Sequence, residues 1–374
     1  MIPRTLFATV RGRFHCGKAI VLLGPRQVGK TTLLKTCLEG VDFLFLNGDD
    51  AEVRSVLEGA GASRLKALVG DRQWVFIDEA QRIPDIGLIS KILTDQFPEV
   101  QLLISGSSAL ELGHKTQEPL TGRKFEYLML PISWEEFEDH VGVLEASVQL
   151  NERLVFGMYP DVINRRSEAS EILQQLTSSY LYKDIFALSG IQKPVILEKL
   201  LMALALQLGN EVSYNELAQL LEIDKATVAK YIDLLEKAFV VFTLNSFSRN
   251  QRNEIKNNRK IYFYDNGIRN ALIKNLNPLD LRNDKGALWE NFLIGERIKT
   301  LHYARKTAQL YFWRIVQKQE IDLIEERDGT LHAFEFKWNR RGKQKIPQRF
   351  LDSYSATAQI IDRENFRKFV RFAE

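Results

Sequence analysis

Four short apolar runs punctuate the first part of the chain, at residues 19–23, 43–46, 74–77 and 102–104, and charged, helix-like segments separate them. Continuous apolar runs of this length are typical of strands that are buried on both faces of a sheet. Strands that alternate with helices predict a parallel sheet with helices on both faces. The pattern therefore predicts an α/β fold for residues 1–140.

Three further patterns follow along the chain. Residues 141–205 have helical spacing of apolar positions and predict a helical lid or linker. The stretch SYNELAQLLEIDKATVAKYIDLLEKAFVVFTL reads as helix, turn, helix and strand, which is the outline of a winged helix over 206–267. Residues 268–374 predict a small α/β unit, with a helix at 289–299, strands at 310–313, 321–324 and 331–338, and a turn at RDG, 327–329.

Composition narrows the class of protein. A chain of 374 residues is expected to hold more than one domain, and its net charge of +3 excludes a global basic field, so any nucleic-acid surface must be local. Two cysteines are too few for a disulfide framework or a zinc cluster. We read no signal peptide, and no apolar stretch approaches the ~20 residues of a membrane span. The expectation is a cytoplasmic protein that does not associate with membranes.

The segment GPRQVGKT, residues 24–31, fits the phosphate-binding pattern G-x-x-x-x-G-K-[ST] at every fixed position. Its glycines let successive backbone N–H groups point at a phosphate, and the following helix adds its positive N-terminal end. Lys30 is expected to bridge the β- and γ-phosphates, and Thr31 to ligate Mg²⁺. The residues predicted to contact ATP are Gly24, Pro25, Arg26, Gln27, Val28, Gly29, Lys30, Thr31 and Thr32.

The run WVFIDEAQ, residues 74–81, supplies the acids that such a site needs. Asp78, at a strand tip, is predicted to hold the water shell of Mg²⁺, and Glu79 to polarise the attacking water. In LLISGSS, Ser105 is our choice for a sensor of the γ-phosphate, with Ser107 as the competitor. Arg123 follows a glycine and is expected to reach a phosphate in its own subunit or in a neighbour's, and a surface arginine is an equally good interpretation.

These segments resemble a known family. GPRQVGKTTLL, FIDEAQRIPD, LISGSSALEL and LTGRKFEYLMLPISWEEF are similar to the bacterial and archaeal AAA-type ATPases that carry a C-terminal domain of unknown function. The similarity continues through GMYPDVI, YLYKDI and KIYFYDNGIRNAL, so it covers almost the whole chain. The resemblance implies an ATP-binding core, a winged-helix middle and a nuclease-like tail.

The tail carries its own candidate chemistry. Glu335 and Lys337 are two apart on a predicted strand and therefore share a face, and Asp322 lies on the strand before the RDG turn. An acid followed by E-x-K on adjacent strands resembles the PD-(D/E)xK core of restriction-endonuclease-like domains, in which acids hold Mg²⁺ and the lysine stabilises developing charge. Glu290 on the preceding helix is predicted to complete the site. The alternative is a degenerate site that grips a nucleic-acid backbone without cleaving it.

The winged helix leaves two interpretations open. Lys225, Thr227 and Lys230 face a phosphate backbone if the second helix reads DNA. A basic wing would add Arg249, Arg252, Lys256, Arg259 and Lys260. Acidic residues dilute the helix, however, and winged helices also serve as protein-docking modules or as lids on ATPases.

Three functional hypotheses follow. The leading hypothesis is a Mg²⁺-dependent ATPase whose nucleotide state controls a winged helix and a nuclease-like region that acts on DNA. The alternative is a signalling or assembly switch with slow turnover, in which the C-terminal region only docks a protein partner. The third is a toxin-like or defence-related nuclease gated by ATP, which requires Asp322, Glu335 and Lys337 to be intact. A homo-oligomer is compatible with the first two.

Overall fold

The computed structural model describes residues 1–107, 120–180, 194–248, 259–314, 319–339 and 346–371. It divides into two compact units. Met1–Pro131 supplies most of the first, and the second is built from residues 132–179, 191–236 and 240–374, as far as they are described.

The first unit is organised by a five-stranded sheet of order β2-β3-β4-β1-β5, in which every described pair is parallel. Its strands are β1 (Ala19–Leu23), β2 (Leu44–Asn47), β3 (Trp74–Asp78), β4 (Gln101–Gly106) and β5 (Lys124–Leu128). All five residues of β1 and all six of β4 are buried, as continuous apolar runs predict. The predicted α/β fold with a parallel sheet is confirmed.

Helices flank this sheet. Their bounds are Leu6–Arg11, Lys30–Cys37, Ala51–Leu57, Ala62–Val69 and Ile86–Gln96, and a short 3₁₀ turn spans Ala80–Arg82. The helix Ile86–Gln96 buries Ile86, Ile89 and Leu93, which recur at the spacing of one helical face. Burial of each such side chain stabilises the fold by roughly 1.5–3 kcal/mol. An apolar core of the unit packs this helix and the helices Ala51–Leu57 and Ala62–Val69 against the strands β1 to β4.

The second unit contains a seven-stranded mixed sheet of order β12-β11-β10-β9-β7-β8-β6. The strands are β6 (Glu211–Val212), β7 (Val241–Ser246), β8 (Arg259–Phe263), β9 (Gln309–Arg314), β10 (Glu320–Arg327), β11 (Thr330–Phe336) and β12 (Thr357–Ile361). β7 pairs antiparallel with β8 and parallel with β9. A tight turn joins β10 to β11 at Asp328 and Gly329, both of which have positive φ, at the place where RDG predicted it.

The helices of the second unit are Trp134–Val141, Val143–Phe156, Pro160–Asn164, Ala169–Gln175, Pro194–Leu206, Tyr214–Leu221, Lys225–Lys237, Asn266–Leu272, Lys285–Tyr303, Gln348–Tyr354 and Phe366–Phe369. Short 3₁₀ turns lie at Arg166–Glu168 and Leu279–Leu281, and a π-helical turn at Leu176–Tyr180. Side-chain caps fix several starts. Ser133 and Glu136 form a reciprocal capping box, and Ser213 accepts a hydrogen bond from the backbone N–H of Glu216.

The predicted division into four parts is not mirrored by four compact units. The boundaries at 205/206 and 267/268 lie inside the second unit, and β8 and β9, on either side of the later boundary, belong to one sheet. The four-part division stays a prediction. Within the described ranges, no helix has both the length and the apolar character that crossing a membrane requires.

Candidate nucleotide site and a second acidic cluster

The phosphate-binding loop connects β1 to the helix Lys30–Cys37. Gly24 has a φ of 150°, and a Cβ placed there would lie 2.0 Å from the carbonyl oxygen of Met129. Gly29, which precedes the helix, has a φ of 96° in the left-handed region. Both positions therefore require glycine, and this is why the fixed glycines of the motif stand where they do.

Lys30 is held against the loop. Its Nζ donates to the carbonyl oxygens of Gly24 at 2.8 Å and Pro25 at 2.7 Å, and the side chain is buried. An ammonium group has three donors and no acceptor, so these weak carbonyl partners can be exchanged for phosphate oxygens. The first turn of the following helix adds N–H groups that point toward the loop. The loop and lysine fit a bound phosphate chain.

Asp78, at the carboxyl end of β3, is held by two hydroxyl groups. Thr31 Oγ1 donates to its Oδ2 at 2.8 Å, and Ser105 Oγ donates to its Oδ1. A buried carboxylate facing the hydroxyl that follows the loop lysine matches the donor set that holds Mg²⁺ in P-loop sites. The residues present therefore fit a magnesium ion, which would be held by Thr31 and Asp78. Ser105 contacts Asp78, and its sensor role stays a prediction.

Glu79 is the second acid of the site. Its backbone is in the left-handed region, with φ of 48° and ψ of 41°. Its Oε2 accepts a hydrogen bond from Gln81 Nε2 at 2.6 Å, and the same amide nitrogen lies 3.0 Å from Ser107 Oγ. Arg26 Nη2 lies 4.0 Å from this carboxylate. The predicted general base is thus linked through Gln81 to the end of β4.

Gln81 is a functional candidate that the sequence analysis did not identify. It ends the segment WVFIDEAQ, two residues after Glu79, so an available signal was a polar side chain inside an otherwise functional motif. Its partners Glu79 and Ser107 follow the ends of β3 and β4, respectively, and the fold brings them to the same amide.

Arg123 does not reach the phosphate loop of its own subunit. It precedes β5, and its carbonyl accepts from the N–H of Ala19 at the start of β1, whereas the loop follows the end of β1, about 13 Å away at ~3.3 Å per residue. Its Nε pairs with Asp95 Oδ1 at 2.5 Å. The prediction of a contact within the same subunit is wrong, and a contact with a neighbouring subunit stays a prediction.

A second acidic cluster lies in the second unit. Lys337 Nζ donates to Glu335 Oε1 at 2.6 Å, and Asp322 Oδ2 accepts from the N–H of Phe336 at 2.7 Å. Burial raises the pKa of Asp322 well above its ordinary value, and the negative charges of Glu290 and Glu335 raise it further. The structure therefore brings the four residues predicted for a nuclease-like site into one neighbourhood.

Lys260 and Tyr262, on β8, complete this cluster. Lys260 Nζ lies 3.1 Å from Glu290 Oε1 and 2.5 Å from Glu320 Oε1, and Tyr262 donates to Glu290 at 2.5 Å. Burial acts to lower the pKa of Lys260, but Glu290 and Glu320 outweigh it and the pKa lies above the ordinary lysine value. In the part of the chain that the structure describes, no three His, Cys, Asp or Glu side chains are grouped to hold a metal ion. The lysine-paired acids do not fit Mg²⁺ in this arrangement.

The prediction that Lys260 belongs to a basic wing is wrong, because its side chain is buried in the second acidic cluster. Arg259 stacks on the ring of Tyr214, with its guanidinium 4.3 Å from the ring centroid. Arg249, Arg252 and Lys256 lie outside the described residues. Thr227 donates to Asp224 Oδ2 at 2.6 Å at the start of the second helix, whereas Lys225 and Lys230 are exposed.

Comparison with known proteins identifies the family to which the chain belongs. It is 30% identical over 341 residues to the uncharacterized protein Rv2008c of Mycobacterium tuberculosis, covering 89% of this chain and 73% of that protein. The chain belongs to the family of this mycobacterial protein. Within the same range of similarity, an uncharacterized protein of Haemophilus influenzae is 26% identical over 346 residues, covering 85% of this chain and 83% of the relative.

Three family models match successive parts of this member of the Rv2008c family. An AAA domain matches residues 17–138, and two domains of unknown function, DUF8612 and DUF4143, match residues 147–280 and 285–369. Among solved structures, a Walker-type ATPase of Pyrococcus abyssi is similar with a TM-score of 0.48 and 15% identity, covering 73% of this chain and 96% of that one. The AAA domain match over residues 17–138 agrees with the AAA-type ATPase region that the resemblance implied.

Proposed function

We propose that the protein is a Mg²⁺-dependent ATPase. One observation supports the proposal. The buried Asp78 carboxylate accepts hydrogen bonds from Thr31 and Ser105, and Lys30 donates beside it to a backbone carbonyl of the phosphate-binding loop. The AAA domain match over residues 17–138 supports the same assignment. Magnesium, when bound, neutralises charge on the transferred phosphate.

The chain's own residues have separate roles in this proposal. Lys30 exchanges its carbonyl partners for phosphate oxygens, and Thr31 and Asp78 hold the metal ion. Glu79 orients the attacking water and accepts its proton through a carboxylate oxygen. Gln81 holds that carboxylate in place by donating to Oε2.

The test is phosphate release from ATP by the purified full-length chain, with Mg²⁺ and with a chelator. We expect release only with the metal and none from the Lys30→Ala variant. Release that persists in the chelator, or that the variant retains, would contradict the proposal.

A second proposal concerns the acidic cluster. Its support is the convergence of Glu290, Asp322, Glu335 and Lys337 on one neighbourhood, in the chain order of a nuclease-like core. In the leading hypothesis this region acts on DNA under the control of the nucleotide site, with Lys225 and Lys230 contacting the backbone. The pairing of Glu290 with Lys260, which is not one of the predicted nuclease-like residues, favours the alternative, in which hydrolysis at the nucleotide site switches a C-terminal region that docks a partner and cleaves nothing.

One experiment distinguishes the DNA-acting enzyme from the partner-docking switch. ATP hydrolysis is measured with and without linear and single-stranded DNA, and the DNA from the same reactions is examined on a gel. Hydrolysis that rises with DNA, with nicking that Lys337→Ala abolishes, supports the DNA-acting enzyme. Slow hydrolysis indifferent to DNA, with the DNA intact, supports the switch, and nucleotide-dependent sedimentation of the chain then tests homo-oligomer assembly.

A further inference from the structure

A cavity of about 340 Å³ lies on the second unit, apart from the acidic cluster. Its lining includes Arg297, Arg327, His332, Phe334, Lys368 and Phe369. On β11, His332 and Phe334 alternate with Ala333 and Glu335, so the cavity and the Glu335–Lys337 pair lie on opposite faces of the sheet. We call it the His332 pocket. Neither proposal above uses it.

Positively charged side chains line the His332 pocket. Arg297 Nε and Nη2 lie 2.6 and 2.9 Å from the two oxygens of Glu325, and Arg327 Nη1 lies 3.0 Å from one of them. Lys368 is a third cation on the lining, and it is exposed. Among the residues that the structure describes, these three cations face one buried carboxylate, that of Glu325, and Asp328 near Arg327 is 91% exposed and screened by water. A concave surface concentrates such a field and attracts anions.

His332 lies within this field. One ring nitrogen, Nδ1, lies 2.8 Å from the Thr357 hydroxyl. Burial lowers the pKa of His332, and Arg327 and Arg297 lower it further, against the opposing pull of Glu325 and Asp328. Lys368 adds positive charge from the helix Phe366–Phe369. An anion bound here would offset these cations, so it would raise the pKa of the ring.

The walls of the pocket suggest the kind of anion. Phe334 and Phe369 pack with their ring centroids 4.8 Å apart and form an apolar side, and the guanidinium of Arg297 lies 5.0 Å from the centroid of Phe369. The volume is at the small end of the range for ligand pockets. Arginine's fork of N–H donors matches the oxygens of a phosphate group.

We propose that the His332 pocket binds a small organic phosphate through Arg327 and Lys368. Arg297 is the structural base of the pocket, since its guanidinium is held by Glu325 and by the carbonyl oxygen of Phe369 at 2.7 Å. Arg327 and Lys368 stand closer to solvent and meet the ligand. The helix Phe366–Phe369 and the strands β10, β11 and β12 supply the site.

The test is a titration followed by the histidine ring signals in NMR spectra of the full-length chain. The chain has five histidines, and a His332→Gln variant assigns the relevant signal. A Lys30→Ala background removes the main phosphate contact of the nucleotide site. Inorganic phosphate, AMP and a short single-stranded oligonucleotide are the probes. We expect phosphate and AMP to shift the His332 signal and to raise the pKa of the ring.

Variants locate the binding. Lys368→Gln and Arg327→Gln should each weaken the binding of phosphate and AMP, as followed by the His332 signal, by about tenfold. This is the scale of one charge-assisted contact. Lys285→Gln is the matched control, since it removes the same charge from a lysine outside the pocket. An unchanged His332 signal with phosphate and AMP would overturn the proposal. Equal losses in Lys368→Gln and Lys285→Gln, or a response to the oligonucleotide alone, would overturn it too.

Discussion

The two acidic clusters of the chain balance their charge in different ways. Asp78 accepts hydrogen bonds from two neutral groups, the hydroxyls of Thr31 and Ser105. Glu79 accepts one from the amide of Gln81 and also lies 4.0 Å from the guanidinium of Arg26. In the second cluster the neighbours of Glu290 and Glu335 are the ammonium groups of Lys260 and Lys337.

The kind of hydrogen-bond donor determines how much negative charge each carboxylate keeps. Neutral donors orient a carboxylate and leave its negative charge to attract a cation, whereas a lysine at hydrogen-bonding distance has already neutralised that charge. In the proposed ATPase, Asp78 is therefore expected to attract a divalent ion, whereas the second cluster contains its own cations. Four substitutions test this contrast, and their expected effects decrease from the first to the last.

Lys30→Ala should weaken ATP binding by roughly hundredfold or more, because the substitution removes a charge and its donors from a buried phosphate site. Calorimetric titration with ATP measures the change. Lys35→Ala, on the exposed side of the same helix, is the control and should bind as the unaltered chain does. Normal affinity in Lys30→Ala would remove the basis for a nucleotide site at this loop.

Glu79→Gln should keep ATP binding and lower turnover by roughly hundredfold or more, the usual scale for loss of a general base. Phosphate release and ATP binding are measured on the same preparation. Glu52→Gln makes the same chemical change on the helix Ala51–Leu57 and should leave turnover intact. If Glu79→Gln hydrolyses ATP at the original rate, another group is the base.

Gln81→Leu should lower kcat about tenfold and leave KM unchanged, because Glu79 loses the amide that positions its carboxylate while the phosphate contacts remain. The split between kcat and KM distinguishes positioning from general damage to the fold. Ser107→Ala, which removes the second partner of the same amide, should act in the same direction but more weakly. A loss confined to KM in Gln81→Leu would show that Gln81 serves binding.

Asp322→Asn should stabilise the fold at neutral pH by roughly 1 kcal/mol, as replacements of electrostatically unfavourable functional residues do. The pKa of Asp322 is raised in the folded state, so the folded chain holds a proton that the unfolded chain releases, and stability falls as pH rises above the ordinary pKa of aspartate. The advantage of the variant should therefore be larger at neutral pH than at acidic pH.

Thermal unfolding at several pH values measures this difference. Asp280→Asn, at a position where the side chain is 90% exposed, is the control and should show no comparable gain. A variant that is less stable than the original chain at neutral pH would mean that the Asp322 carboxylate is favourable where it stands.

The sequence predicted the elements whose signal is local. β1 and β4 are buried on both faces and appear as unbroken apolar runs, whereas β5, KFEYL, is half-exposed throughout and was missed. The loop glycines, Lys30 and Thr31 could be predicted because their spacing is fixed by the geometry of one strand, loop and helix. Asp78 was predicted separately, from the two acids that follow the apolar run of β3.

Residues whose role depends on distant partners were harder to predict. Gln81 becomes informative only when β3 and β4 bring Glu79 and Ser107 to the same amide. Lys260 seemed to belong to a basic loop, although its alternation with Tyr262 along β8 is the pattern of a shared strand face. Its burial depends on Glu290 and Glu320, which no local pattern links to it.

The seven-stranded sheet limits which parts of the gene can be separated during evolution. β7 bonds through its backbone to β8 on one side and to β9 on the other, so the strand after the paired helices Tyr214–Leu221 and Lys225–Lys237 is also an inner strand of the C-terminal sheet. Gene shuffling that separated β7 from β9 would leave each strand with an unpaired edge. Unpaired strand edges promote aggregation. We therefore expect the segment that encodes the two helices and the segment that encodes the acidic cluster to be inherited together.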